Sequence, residues 1–224
     1  MIIIENKNAS GNKNEKSEII NYCKNKSEEN NNDNYDMVFL EKYHSSDLNS
    51  KIIINQETTI DGKIINEYSN HKKEIIFNNK NNYTCSKKEI FDDGYQIVYF
   101  KNKDIKQIYP DGKEVYFFSQ NKTVATTFKN GDKVYKFANG QIEKCFKNGD
   151  KNIIYPDGTL KNIYSNGEEE ILYKDGSFQK KHKDGSLFVK YKDGVEDIIM
   201  ANGNKERKLC NGKKIKMRKD GTVI

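Results

Sequence analysis

From Gly131 onward, short stretches of interleaved apolar and polar residues are cut every nine residues by Asn-Gly or Asp-Gly, without a slip. Glycine stands at Gly131, Gly140, Gly149, Gly158, Gly167, Gly176, Gly185, Gly194, Gly203, Gly212 and Gly221. Asn-Gly and Asp-Gly suit a two-residue type I′ hairpin turn, in which both central residues take positive φ. Subtracting the two turn residues leaves seven, the length of an ordinary strand. The predicted fold class is therefore all-β: an elongated single-layer antiparallel meander sheet of nine-residue strand-turn repeats. Counting slots gives roughly nineteen strands and a sheet on the order of 85 Å long. Twisted open sheets rarely extend that far, so a repeat architecture is implied.

Two-residue turns also predict the faces. Counted from the preceding glycine, the fourth position meets its own equivalent on the next strand, and the sixth meets the next strand's second. Even positions then stay on one face along the whole sheet. That face would carry Phe128, Phe137, Phe146, Tyr155, Tyr164, Tyr173 and Tyr191, with Phe137 against Ile142, Tyr155 against Leu160 and Tyr173 against Phe178. The odd face mixes Ile154, Ile163, Leu172 and Ile199 with Lys136, Lys181 and Lys190. Neither face is apolar enough to require a second layer.

Upstream the rhythm loosens. Residues 1–56 are rich in Asn, Lys, Glu and Ser and read as a low-complexity, disordered tail, with Met37–Leu40 and Ile52–Ile54 as short apolar exceptions. Order is expected from Glu57, giving a repeat domain over 57–224. The spacing from Lys80 to Gly94 calls for a loop or bulge. Gly112 to Gly131 spans one residue more than two periods, which a bulge or a three-residue loop near Ser119–Lys122 would absorb. Such breaks in a regular ladder are where a site is expected.

Composition narrows the function. Hydrophobic residues make up only 34% and Trp is absent, which argues against a large compact core. The net charge of +6 is carried by Lys interleaved with Glu and Asp, a weak basis for nucleic-acid binding. Cys23, Cys85, Cys145 and Cys210 are far apart, with no C-x-x-C pair, which argues against zinc and fits a reducing cytoplasm. No run approaches membrane-spanning length. His44, His71 and His182 are isolated, and no phosphate loop, dinucleotide or zincin pattern occurs. The reading is a protein without enzymatic activity, cofactor or metal. Calcium-binding β-rolls share a nine-residue period, but their repeat needs more glycine and a carboxylate where Lys often follows the turn here.

A sheet open on both faces offers a binding surface. Ribbons of Tyr and Phe flanked by polar residues suit a proline-rich peptide in its extended helix. The same aromatics can simply cover the sheet and pair across strands, and pattern alone favours that for most of them.

The order of the non-repeating pieces adds a family likeness. Ile105–Gly112, Val115–Phe118, Thr126-Thr127, Asn139–Lys144 and Ile154–Ile163 together resemble the G-box domain of the CPAP (centromere protein J) family of centriole assembly factors, over about Glu57 to Ile224. The resemblance implies a free-standing antiparallel sheet and a scaffold role in centriole or basal-body assembly, in the cytoplasm at the centrosome. It also implies binding of a proline-rich segment of a STIL-type partner. By motif position it puts the peptide-contacting aromatics on Phe100, Tyr116 and Phe137 and the acidic contact on Glu143. Glu143 could meet an Arg of the ligand or a cross-strand Lys. The family also implies self-association through sheet ends, so the alternative is a self-associating structural spacer without a peptide site. Only Pro110 and Pro156 remain of the prolines that precede many family turns. The family's long upstream regions have no counterpart here, so tubulin binding is not carried over.

Overall fold

The computed structural model describes residues 52–78 and 84–224. Among them the chain forms β1 (Ile53–Thr58), β2 (Ile64–Tyr68), β3 (Lys73–Ile76), β4 (Cys85–Ile90), β5 (Gln96–Phe100), β6 (Ile105–Ile108), β7 (Glu114–Phe118), β8 (Thr123–Thr127) and β9 (Lys133–Lys136). There follow β10 (Ile142–Cys145), β11 (Lys151–Ile154), β12 (Leu160–Ile163), β13 (Glu169–Leu172), β14 (Phe178–Lys181), β15 (Leu187–Lys190), β16 (Glu196–Ile199), β17 (Lys205–Lys208) and β18 (Lys214–Met217). Each strand pairs only with its chain neighbours, always antiparallel, so the expected meander is borne out and a parallel β-roll is not. The tail expected over 1–56 falls, up to Lys51, outside the described residues; its last part is β1, which starts the sheet at Ile53.

The turns differ from expectation. In the hairpin of β9 and β10, Phe137 N–H donates to the Gln141 carbonyl at 2.9 Å and Gly140 N–H to the Phe137 carbonyl at 3.0 Å. This is a three-residue loop, a type I turn closed by a glycine in the left-handed region (Gly140 φ 86°), not a two-residue type I′ turn. Among the described residues only His71, Lys103 and Lys122 take positive φ without being glycine, so the Asn or Asp before each glycine does not. Its side chain instead accepts the backbone N–H two residues on: Asn139 from Gln141 at 3.0 Å, Asp157 from Thr159 at 2.8 Å, Asp184 from Ser186 at 2.8 Å. Pro110 and Pro156 occupy the first central position of such type I turns, where a φ near −65° is wanted.

The longer loop moves every pairing by one residue. Ile142 lies opposite Lys136 rather than Phe137, Leu160 opposite Ile154 rather than Tyr155, and Phe178 opposite Leu172 rather than Tyr173. From β8 on, odd-numbered residues share one face (the front, with Tyr135, Glu143 and Ile153) and even-numbered residues the back. Because nine is odd, a given repeat position changes face at every strand, and the expected all-aromatic even face does not form. Phe137, Tyr155, Tyr173 and Tyr191 line the front, at one margin. Phe128, Phe146, Tyr164 and His182 line the back, at the opposite margin. Hydrogen bonds agree with this split: the Tyr191 hydroxyl reaches front-face Asp197 at 3.0 Å, and the Tyr164 hydroxyl reaches back-face Glu170 at 2.8 Å.

Apolar burial is sparse and gathers toward the first half of the sheet, on Tyr68, Tyr95, Ile97, Val98 and Val115, with Ile153 further along. Polar networks supplement it. Glu74 and Glu89 lie opposite each other between β3 and β4 and are held by Lys72, Lys87 and the hydroxyls of Tyr68 and Tyr99.

Candidate functional site

Phe100, Tyr116, Phe137 and Glu143 all fall on the front face. The extra residue expected near Ser119–Lys122 is present: six residues separate the paired Phe117 and Val124, where five separate the paired Lys136 and Ile142. That single-residue change switches the numbering parity of the front face, so even-numbered Phe100 and Tyr116 upstream join odd-numbered Phe137 and Glu143 downstream.

The midline row runs Tyr116 opposite Ala125, Ala125 opposite Tyr135, and Tyr135 opposite Glu143. Ala125, between the two tyrosines, has the smallest side chain in that row. The Tyr116 ring sits 5.6 Å from Phe100 and 4.5 Å from Phe118, both tilted, and Phe137 stacks on Tyr135 at 6.4 Å and 22°. Phe118, Tyr135 and Ala125 were not among the residues singled out from sequence. Phe118 could have been, since it shares the apolar run of Tyr116 at a spacing of two.

Asp104, in the β5–β6 loop, anchors this cluster. Its carboxylate accepts the Tyr116 hydroxyl, the Ser119 backbone N–H and the Asn102 side-chain amide, each at 2.8 Å, and the Ser119 hydroxyl bonds the Asn102 carbonyl at 2.7 Å. Burial pushes the Asp104 carboxyl up, but the donors from Ser119, Tyr116 and Asn102 outweigh it and hold it below its usual value. The Tyr116 hydroxyl is pushed up to about 12 by burial and by its bond to that carboxylate.

Glu143 accepts Gln141 Nε2 at 2.9 Å and lies between Tyr135 and Ile153 on the flanking strands. Neither neighbour is basic, and among the described residues Glu143 makes no ion pair, so the cross-strand Lys considered from sequence is not found. A half-buried carboxylate beside aromatic rings and without a cation is an acceptor left open. A separate hollow lined by Asp111, Lys113, Phe128, Asp132 and Lys144 lies at the opposite margin and includes none of the four residues.

Three comparisons bear on this surface. A family model described as the T-complex protein 10 C-terminus matches residues 110–145 and 146–177. The centrosomal P4.1-associated proteins of Mus musculus and Homo sapiens are 37% and 38% identical over 84 residues, 37% of this chain but only 6% of their own length. Among solved structures, the CPAP G-box domain has a TM-score of 0.57 at 27% identity, covering 76% of this chain and 96% of that domain. The TCP10 domain of Danio rerio CPAP, solved with a peptide of Danio rerio STIL, has a TM-score of 0.55 at 26% identity with the same coverage. The resemblance read from the sequence is borne out: this repeat sheet is similar to the CPAP G-box domain in both sequence and fold.

Proposed function

We propose that this G-box-type sheet is a non-enzymatic protein-binding module of centriole or basal-body assembly, working at the centriole, that receives a proline-rich segment of a STIL-type partner on its front face. Phe100, Tyr116 and Phe137 would contact prolines, and Glu143 would take an Arg of the same segment. The observation that carries this reading is the convergence of three half-buried aromatics and one carboxylate without a cation on a single face. The relative from Danio rerio supports it, since its TCP10 domain was solved with a STIL peptide.

The spacing of the front aromatics supports the ligand class. Phe100, Phe118, Phe137, Tyr155, Tyr173 and Tyr191 recur on every second strand, about 9.6 Å apart at about 4.8 Å per strand. A polyproline helix repeats every three residues, or about 9.3 Å. A segment lying across the strands would therefore present the same edge to each successive ring.

In a calorimetric titration with a proline-rich peptide containing Arg, Phe137→Ala and Glu143→Val are each expected to weaken binding about tenfold or more. The β-sheet circular dichroism should not change. Unaltered affinity for both variants would reject this surface as the site.

A further inference from the structure

The aromatic ladders stop at Tyr191; no Phe or Tyr follows it in the chain. Charge replaces them. Residues 201–224 hold eight Lys and Arg against Glu206 and Asp220, a surplus equal to the +6 of the whole chain, so the preceding 200 residues are neutral in sum. The excess sits on β17, β18 and their turns.

Part of that charge is consumed locally. Arg207 and Lys205 are engaged by buried Asp197, at 2.8 and 2.6 Å. Lys208 and Lys214 reach Glu196 at 3.1 Å and Glu206 at 2.8 Å. Lys213, Arg218 and Lys219 are exposed and, among the described residues, have no carboxylate partner. Lys208 also lies directly opposite Lys214 across the β17–β18 ladder, each held by its own glutamate. On the back face Lys216 and Arg218 are accompanied by exposed Ile198 and Met200, and Lys213 and Lys219 stand at the turns on either side of β18.

We infer that the back face of β16–β18, with the turns beside β18, forms a second interaction surface, for an extended acidic protein segment in which Asp or Glu alternates with aliphatic residues. The cations supply attraction and the aliphatic side chains supply apolar contact. A single-stranded nucleic acid fits less well, because it gains affinity by stacking bases on aromatic rings, and this end has none. The surface is about seven strands from β10, the strand that carries Glu143, or on the order of 34 Å. It therefore does not depend on the peptide site proposed above.

The test uses the full chain at about 0.15 M salt, with a twelve-residue peptide of alternating Glu and Leu or Asp and Ile as probe. The probe is expected to bind and to shift amide resonances of residues 196–219. Replacing Lys213, Lys214, Lys216, Arg218 and Lys219 by Gln is expected to weaken binding about tenfold or more. Neutralising five lysines elsewhere (Lys129, Lys147, Lys174, Lys183 and Lys192) should change it less than about twofold. Phe137→Ala should leave it unaltered. The inference is overturned if the two lysine sets act alike or if the shifts map elsewhere. It is equally overturned if a single-stranded oligonucleotide or phosphatidylserine vesicles compete with the peptide at equal charge.

Discussion

The residue before each repeat glycine acts as a hydrogen-bond acceptor, and only the glycine itself adopts the left-handed backbone. Where the chain departs from this rule, strain is stored. Lys103 takes the glycine slot of the β5–β6 loop at φ 69°, so Lys103→Gly is expected to raise stability by about 0.5–1 kcal/mol in urea unfolding. Gly158→Ala should lower it by about 1–2 kcal/mol, since φ is 89° there. A stabilising Gly158→Ala would contradict the turn assignment. Asp197 is the other residue-level feature with a measurable consequence. Its bidentate bond to Arg207, with Lys205 and Tyr191, holds its carboxyl well below the usual range despite burial. A folded pKa below the unfolded value means the contribution is present above about pH 4 and is lost as pH falls from there. Asp197→Asn should therefore cost on the order of 2 kcal/mol at neutral pH, with the gap to the unsubstituted protein closing in acid. A gap constant from pH 7 to pH 3 would contradict that role.

At the scale of the hairpin, one misjudged turn propagated through the whole reading of the faces. Asn-Gly and Asp-Gly signal a hairpin, and the hairpins are where the spacing put them. What decides between a two-residue and a three-residue loop is the position before that pair, and Pro110 and Pro156 already carried the answer. A type I′ turn would place Pro where a ladder N–H is needed, whereas a type I turn wants it there. The meander and the irregularity at Ser119–Lys122 were legible, because both follow from counting. The alternation of aromatics between faces was not, because it depends on one residue of loop length. Phe100, Tyr116, Phe137 and Glu143 were selected by family likeness. Their sharing a face is a property of register, and the bond from Tyr116 to Asp104 could not be seen in a period-nine pattern.

Across the whole sheet, each strand leans on its two neighbours, so the array behaves as a ruler with rungs on both surfaces. The loop at Ser119–Lys122 adds one residue without breaking that order: Tyr116 lies opposite Ala125, and the strands before and after the loop present their aromatics on a common front. The decisive measurement is the affinity of Phe100→Ala and of Phe137→Ala, one on each side of that loop, for a proline-rich, Arg-containing peptide, by calorimetry, with circular dichroism recorded on the same samples. A binding front that spans this loop predicts a retained β-sheet spectrum and at least about tenfold weaker binding for each variant, because Phe100 before the loop and Phe137 after it share the face that carries Glu143. Full affinity with an intact sheet would contradict it.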